Sequence, residues 1–180
     1  MSPLPDHDAA AAARIGAAWR ALAAIADPEL PALTLEDLGI VRFVRLRSDG
    51  VLCAGLSPTY SGCPASAHIL ELAQRALREA DVGPCAVSQT LAPPWSSDWI
   101  TSEGRRKLAQ YGIVPPERVP SHPGRPASRA LWALAESAPA ACPRCGALQT
   151  EQLSEFGSTP CKALHRCLAC LEPFERFKCI

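Results

Sequence analysis

The sequence has no excess of charge of either sign, few aromatic side chains and no long apolar run. Its 180 residues contain eighteen Lys and Arg against eighteen Asp and Glu, so no overall field attracts nucleic acid or an anionic membrane surface. No apolar stretch approaches the about 20 residues that a transmembrane helix needs. Four Trp, four Phe and two Tyr residues allow only a modest hydrophobic core. We therefore expect neither nucleic acid nor a membrane among the partners.

The chain also lacks, at its N-terminus, the basic residues that open a secretory signal peptide, since residues 1–6 carry no Lys or Arg. It nevertheless contains nine cysteines. Disulfide frameworks belong to secreted proteins, whereas cysteines in reducing compartments more often bind metals or react as thiols. We therefore expect a cytoplasmic protein with metal or thiol chemistry.

Hydrophobic periodicity in the first part of the chain predicts a small α+β domain. Asp27-Pro28 stops the first helix, and Ser48-Asp49-Gly50 supplies a hairpin turn. The resulting αββαβα order predicts helices that cover one face of a three-stranded sheet. The predicted elements are a helix over 8–26, strands over 40–47 and 51–56, a helix from about 64 to 80, a strand over 86–91 and a helix over 102–111 capped by Ser102.

A proline-rich stretch separates this domain from the C-terminal region. Five prolines fall between Val114 and Ser128, and such a segment can build neither a helix nor a strand ladder. A short helix is expected over 129–137. The predicted boundaries are a domain over 1–113, a linker with a short helix over 114–138, and a zinc-ribbon domain over 139–180.

Two Cys-x-x-Cys motifs in the C-terminal region predict a metal site. Cys142 and Cys145 form the first motif, Cys167 and Cys170 form the second, and 21 residues lie between them. Two such knuckles bring four thiolates to one tetrahedral centre, as in a zinc ribbon. A segment this short has too small a hydrophobic core to fold without a bound metal ion. The pattern therefore predicts one structural zinc.

The spacing leaves the metal and the exact ligand set open. A rubredoxin-type iron site would use the same four cysteines, and Cys161, His165 or Cys179 could replace one of them. Residues 140–180 contain five Lys or Arg against four Glu, so the ribbon has no basic patch for nucleic acid.

Cys63 is the strongest candidate for reactive chemistry in the first domain. It follows Gly62 and precedes Pro64, between a predicted strand and a predicted helix. Pro64 suits the first helical position, which would make Cys63 the N-cap or its neighbour. The helix dipole and unpaired N–H groups would then favour a thiolate that is nucleophilic or binds metal. The alternative is a small cysteine that only packs in a tight turn.

Three motifs in the first domain resemble the MIP18-like family, formerly a domain of unknown function. They are Asp27-Pro28-Glu29, Leu38-Gly39-Ile40-Val41 and Thr59-Tyr60-Ser61-Gly62-Cys63-Pro64. The resemblance covers about residues 12–112 and implies iron–sulfur protein maturation, with Cys63 as a transient ligand of iron or of an iron–sulfur cluster. It also implies that Asp27 and Glu29 line the same pocket, although capping or turn duty would explain both equally well.

Further motifs narrow the resemblance to a family of accessory proteins in the bacterial phenylacetyl-CoA epoxidase system. Besides the four knuckle cysteines, they span residues 95–101, 111–116, 156–164 and 172–179. The resemblance implies an accessory role in aerobic phenylacetate degradation. Its implied partners are the oxygenase and reductase subunits of the epoxidase and iron–sulfur assembly proteins. The sequence leaves a homo-oligomer open.

The chain is not expected to be catalytic by itself. No histidine has a glutamate three positions before it, as helical di-iron sites need, and no glycine-rich nucleotide motif occurs. One alternative is a non-catalytic assembly protein of the epoxidase complex. The other is a thiol enzyme that uses Cys63, which would need a base. The nearest histidine, His68, would lie about 140° away around the helix.

Overall fold

The chain divides into two compact units in the computed structural model, which describes residues 7–60, 62–118 and 139–179. The first unit consists of Met1–Pro58 and Pro64–Pro94, and the second of Thr59–Cys63 and Trp95–Ile180. Within the described residues, no helix is long and apolar enough to cross a membrane.

The first unit is a three-stranded sheet with two helices. Its elements are α1 (His7–Ala23), β1 (Val41–Leu46), β2 (Leu52–Leu56), α2 (Ser66–Glu79) and β3 (Cys85–Gln89). β1 and β2 form the predicted antiparallel hairpin, and Gly50 has the positive φ of 79° that its turn uses. β3 pairs in parallel with β2 after the chain crosses over through α2. This order confirms the predicted α+β class.

Leucine side chains from the helices and the sheet form the core of the first unit. Leu22 of α1, Leu52 of β2 and Leu77 of α2 are fully buried, and burying each such side chain contributes about 1.5–3 kcal/mol. Arg14 of α1 donates from Nε to the carbonyl oxygen of Val82 at 2.9 Å. These contacts hold α1 and α2 against the sheet. They thereby also fix the position at which β2 ends and the loop to α2 begins.

α1 ends at Ala23 and not at Ala26, so its predicted end is wrong. Ala26 pairs with Thr34 in an isolated antiparallel bridge, and the N–H of Asp27 donates to the carbonyl of Leu33 at 2.9 Å. The residue before a proline is disfavoured in the α region because the proline ring crowds its backbone. Pro28 therefore favours extended backbone before it, and the chain leaves the helix earlier than propensity indicates.

In the part that the structure describes, the second unit is a four-stranded sheet accompanied by one α-helix. It begins with a 3₁₀ helix (Ser97–Trp99), followed by α3 (Ser102–Gln110), β4 (Ile113–Val114), β5 (Thr150–Ser154), β6 (Lys162–Cys167) and β7 (Pro173–Phe177). The strand order is β4-β7-β6-β5, and β5, β6 and β7 pair antiparallel. Thr101 caps α3, since its Oγ1 accepts from the N–H of Gly104 at 2.9 Å. The predicted cap at Ser102 is wrong by one residue.

β4 joins the ribbon sheet although it precedes the proline-rich stretch. It pairs in parallel with β7, with Ile113 opposite Glu175. Trp95 and Phe177, both buried, place their ring centroids 6.0 Å apart. Residues 95–118 therefore belong to the same compact unit as the ribbon strands.

The predicted linker and short helix fall largely on residues 119–138, which lie outside the described residues. Val114, at the start of the predicted linker, lies in β4. The domain boundaries at 113 and 139 remain predictions. The pairing of β4 with β7 allows them to be tested by cutting the chain between these two strands.

A chain cut at a protease site engineered into residues 119–138 is expected to remain one species in solution. The pairing of β4 with β7 and the contact of Trp95 with Phe177 both cross the cut. Size-exclusion chromatography after cleavage measures the association. Trp95→Ala should weaken it, because truncating a buried tryptophan costs about 3–5 kcal/mol. Separation of the unsubstituted fragments would show that the ribbon does not depend on β4.

Candidate functional site

The four knuckle cysteines meet at one end of the ribbon. The Sγ atoms of Cys142, Cys145, Cys167 and Cys170, hereafter the tetrad, all lie within 4.8 Å of one another. The Cys142 and Cys170 sulfurs are 3.7 Å apart, and the Cys145 and Cys167 sulfurs are 3.6 Å apart. Four sulfurs placed tetrahedrally at a zinc–sulfur bond length of about 2.3 Å would lie about 3.8 Å from one another. The tetrad therefore has the size of a four-coordinate metal site.

Each knuckle is a tight turn closed by a backbone hydrogen bond. The N–H of Gly146 donates to the carbonyl of Cys142 at 2.9 Å, and the N–H of Leu171 donates to the carbonyl of Cys167 at 3.0 Å. Both closing residues have a positive φ, 75° for Gly146 and 63° for Leu171. Glycine adopts this conformation freely, whereas it costs other residues about 1–2 kcal/mol. The two motifs thus form similar turns that present two sulfurs each.

Thiols packed this closely compete for protons. Hydrogen bonds from the backbone of Cys170 and Ala169 and from neighbouring thiols lower the pKa of Cys167 to about 7, against the effect of burial. A hydrogen bond from the backbone of Glu172 lowers the pKa of Cys170, but burial and hydrogen bonding with the other thiols outweigh it and raise that pKa to about 12. Four thiolates this close require a cation. Soft sulfur ligands in tetrahedral geometry suit zinc or iron.

The three other candidate ligands of the ribbon lie outside the tetrad. Cys161 places its Sγ 3.1 Å from the Oγ1 of Thr159. His165 stacks on Phe174 with ring centroids 5.6 Å apart, and burial together with the charge of Arg176 lowers its pKa. Cys161, His165 and Cys179 are therefore not among the residues whose ligand atoms lie within 4.8 Å of one another.

The Cys63 loop connects β2 to α2 but belongs in part to the second unit. The prediction that Cys63 is the N-cap of α2 or its neighbour is wrong, because Ala65 is the N-cap and Ser66 begins the helix. Pro64 stands one residue before the cap, and the N–H of Cys63 donates to the carbonyl of Tyr60 at 3.0 Å. Cys63 is half-buried. The helix dipole therefore acts on its sulfur from farther away than the sequence predicts.

Gly62 allows this loop to turn tightly beside an aromatic ring. A Cβ at position 62 would lie 3.0 Å from the ring of Tyr60. That distance is tighter than ordinary van der Waals contact, so glycine suits the position. The loop therefore keeps Cys63 half-buried next to a small, tightly turned backbone.

Asp27 holds a turn in the first unit. Its Oδ1 accepts from the N–H of Glu29 at 2.9 Å and from the N–H of Leu30 at 2.8 Å, and its side chain is buried. These contacts are those of an aspartate-stabilised turn. Asp27 and Glu29 belong to the first unit, whereas Cys63 belongs to the second.

An ion pair between a buried lysine and a partly exposed glutamate braces the loop that carries Cys161, and the sequence pattern does not reveal it. The Nζ of Lys162 is 2.8 Å from Glu175 Oε2 and donates to Ser158 Oγ at 2.6 Å, and Lys162 is only 3% exposed. Burial raises the pKa of Glu175, but hydrogen bonds from Lys162 and Ser158 outweigh it and lower that pKa. Nothing near Lys162 in the sequence indicates that its side chain is buried. The pairing of β6, which begins at Lys162, with β7, which contains Glu175, places the two charges together.

Two family models match the chain. The model described as iron-sulfur cluster assembly protein matches residues 16–87, which include Cys63. The model described as PaaD zinc beta ribbon domain matches residues 126–178, which include the tetrad.

The chain is also similar to curated proteins and to a solved structure. The D subunit of the 1,2-phenylacetyl-CoA epoxidase of Escherichia coli (strain K12) is 43% identical over 162 residues, which cover 90% of this chain and 91% of that protein. An Fe-S protein maturation auxiliary factor of Porphyromonas gingivalis (strain ATCC BAA-308 / W83) is 28% identical over 90 residues, 49% of this chain and 85% of that protein. The crystal structure of a DUF59 domain from Bacillus anthracis gives a TM-score of 0.52 at 23% identity and covers 57% of this chain and 97% of that one. The similarity to the Bacillus anthracis structure shows a shared fold and nothing more.

Proposed function

Because the chain belongs to the family of phenylacetyl-CoA epoxidase D subunits, we propose that it is an accessory protein that helps to mature iron–sulfur or iron sites in its partners. Its clients would be the oxygenase and reductase components of the epoxidase system, and iron–sulfur assembly proteins would supply the cargo. The work would take place in the cytoplasm, where thiols stay reduced.

The observation that carries this proposal is the position of Cys63. It is a half-buried thiol in a glycine-containing loop, inside the segment that matches the iron–sulfur assembly family. A carrier needs a thiol that a client can reach, because a ligand locked in a closed site cannot pass on its metal. Binding requires the thiolate, so Cys63 would release its proton as it takes up iron.

The tetrad has a different role in this proposal. A closed set of four cysteines leaves no open position for a substrate, which is the arrangement of structural zinc. The small core around it also needs the metal, since it consists of Ala140, Cys142, Cys167 and Phe174. We therefore assign zinc to the tetrad and leave the cargo to Cys63.

A second candidate function is the assembly of the epoxidase complex without metal transfer. Leu148, Leu168 and Leu171, at or next to the knuckles, are 50–67% exposed. Exposed leucines grouped along the chain in this way favour contact with another protein. A thiol enzyme finds less support, because His68 is exposed on α2 and lies 3.7 Å from Glu71.

Cys63→Ser tests the proposal. The substitution is nearly isosteric, so the free energy of unfolding should change by about 1 kcal/mol or less. Iron binding should nevertheless be lost, because a hydroxyl is a far poorer ligand for a soft metal than a thiolate. The measurement is growth on phenylacetate in a strain that carries only this variant, together with iron and sulfide per chain in the purified oxygenase and reductase. We expect failed growth and metal-poor partners.

Cys85→Ser is the matched control, since Cys85 is also half-buried and lies on β3 of the first unit. It should support normal growth. Normal growth with Cys63→Ser and fully loaded partners would contradict the maturation role. Failed growth with fully loaded partners would instead favour the assembly role.

A further inference from the structure

We propose that the chain forms a two-fold symmetric dimer in which β3 of one copy pairs antiparallel with β3 of a second copy. β3 is the last strand in the sheet order β1-β2-β3, so one of its sides has no neighbouring strand among the described residues. The backbone groups on that side can accept an extended strand through the hydrogen bonds that hold any sheet together. The inference concerns the first unit and does not depend on the proposed maturation role.

The pairing of β3 with β2 determines which backbone groups point outward. The N–H of Leu52 donates to the carbonyl of Pro84 at 2.9 Å, and the N–H of Thr90 donates to the carbonyl of Leu56 at 2.8 Å. Between these two bonds the strands pair in parallel without a break in register. In such a pair every second residue bonds to the neighbouring strand and the residues between them point the other way. The outward N–H and C=O groups are therefore those of Cys85, Val87 and Gln89.

The other strands at the sheet edges have features that oppose pairing with another chain. β1 carries Arg42 and Arg45, and β5 carries Glu151. The pairing of each of these two strands with its neighbour also contains a shift in register. β4 is only two residues long. Charges, bulges and short length are ways in which proteins keep an exposed sheet edge from pairing.

β3 has neither charges nor a register shift. Residues 82–97 contain no Asp, Glu, Lys, Arg or His, and prolines lie before the strand and after it but not within it. Ala86 and Ser88, in the middle of the strand, are exposed. An uncharged edge of this kind is an aggregation site unless another strand covers it. We therefore expect the edge to be covered whenever the protein is present.

A second copy is the partner that is always available, and the edge is complementary to itself. An antiparallel pair centred on Val87 places Val87 opposite the same residue of the second copy and Cys85 opposite Gln89 of the second copy. All outward groups then have partners, since each pair exchanges two hydrogen bonds. Ala86 lies opposite Ser88 of the second copy, so small uncharged side chains meet on the exposed face. Because this symmetric contact uses the same edge of both copies, the assembly closes at two chains.

The test is sedimentation velocity of the full-length protein over about 1–500 μM, because a single strand pair buries little surface and its affinity is modest. We expect a monomer at the low end and a dimer at the high end. Hydrogen exchange followed by NMR should show that the amides of Cys85, Val87 and Gln89 gain protection as the concentration rises. The amides of Ala86 and Ser88, which bond to β2, should be protected throughout.

Val87→Pro removes the central hydrogen bonds of the dimer but none from the sheet of its own chain, because proline is tolerated where the N–H of an edge strand points outward. The dissociation constant of the dimer should rise by more than about tenfold. Ser88→Lys places a charge on the edge and should have the same effect. Val87→Thr keeps the N–H and the β-branched shape, so it should dimerise as the unsubstituted protein does. Circular dichroism measures folding, and Ser88→Lys decides the result if Val87→Pro does not fold.

Three outcomes would overturn the inference. The first is a protein that stays monomeric over the whole range of concentration. The second is a dimer that the folded edge variants do not weaken, because its interface would lie elsewhere. The third is protection of Cys85, Val87 and Gln89 that appears only when the purified oxygenase or reductase is added, because the edge would then bind a strand of a client instead of a second copy.

Discussion

Cys142→Ser is expected to release the metal of the tetrad and to unfold the ribbon strands. Binding of structural zinc contributes about 10–16 kcal/mol in small zinc-finger peptides, which exceeds what a small ribbon core can replace. Cys142 is 3% exposed and belongs to that core as well as to the metal site. Metal analysis should find one zinc per chain before the substitution and none after it. Hydrogen exchange should show loss of protection in β5, β6 and β7.

Cys53→Ser supplies the control, because it changes a half-buried cysteine of the first unit and should keep the zinc. The metal content of the unsubstituted protein also decides between zinc and rubredoxin-type iron. Full zinc in Cys142→Ser would mean that another residue completes the site, and the proposed ligand set would be wrong.

Lys162→Met should lower the free energy of unfolding of the second unit by about 1–3 kcal/mol, the usual cost of removing the partner of a partly buried charged group. The substitution keeps most of the side-chain volume but leaves Glu175, whose side chain is 21% exposed, without its cation. It also removes the donor to Ser158 in the loop that carries Cys161. Chemical denaturation measures the change.

Arg166→Met is the comparison for this variant. Arg166 pairs with Glu151, and both side chains are more than 40% exposed, so its loss should cost about 1 kcal/mol or less. If the two substitutions lower the free energy of unfolding by the same amount, the ion pair of Lys162 with Glu175 behaves as a surface pair.

The effect of Lys162→Met should also depend on pH. The folded-state pKa of Glu175 is lowered, so the pair contributes its full stability above the unfolded value of about 4.3. That contribution is lost as the pH falls through the folded pKa. The difference between the unsubstituted protein and the variant should therefore narrow below about pH 4. A constant difference down to lower pH would exclude Glu175 as its source.

The sequence predicts the fold of the first unit and the tetrad because both depend on local signals. The hairpin follows from three turn residues, and the tetrad follows from the spacing within and between two knuckles. In each case the residues that decide the structure are close in the chain, and the physical requirement for glycine or thiolate is strict.

Helix ends and distant pairings are less visible in the sequence. The cap of α3 lies one residue before its predicted position, because Thr101 and Ser102 are neighbouring hydroxyl residues of similar capping ability. α2 begins at Ser66 after Ala65, whose side chain makes no capping hydrogen bond, so no cap residue marks this helix start in the sequence. The membership of the Cys63 loop in the second unit and the pairing of β4 with β7 depend on contacts between residues far apart in the chain. No local pattern encodes such contacts, so the sequence alone leaves Cys63 in the first domain.

The pairing of β4 with β7 imposes an order on synthesis. The strands of the first unit can pair as soon as β3 has left the ribosome, because the unit is complete at Pro94. β4 must wait for β7, which at about 5–20 residues per second takes roughly 3–12 s more. During that interval β4 lacks the strand it pairs with, and all four cysteines of the tetrad are synthesised after β4 and before β7. The moment at which the nascent chain acquires zinc should therefore decide when α3 and β4 become ordered.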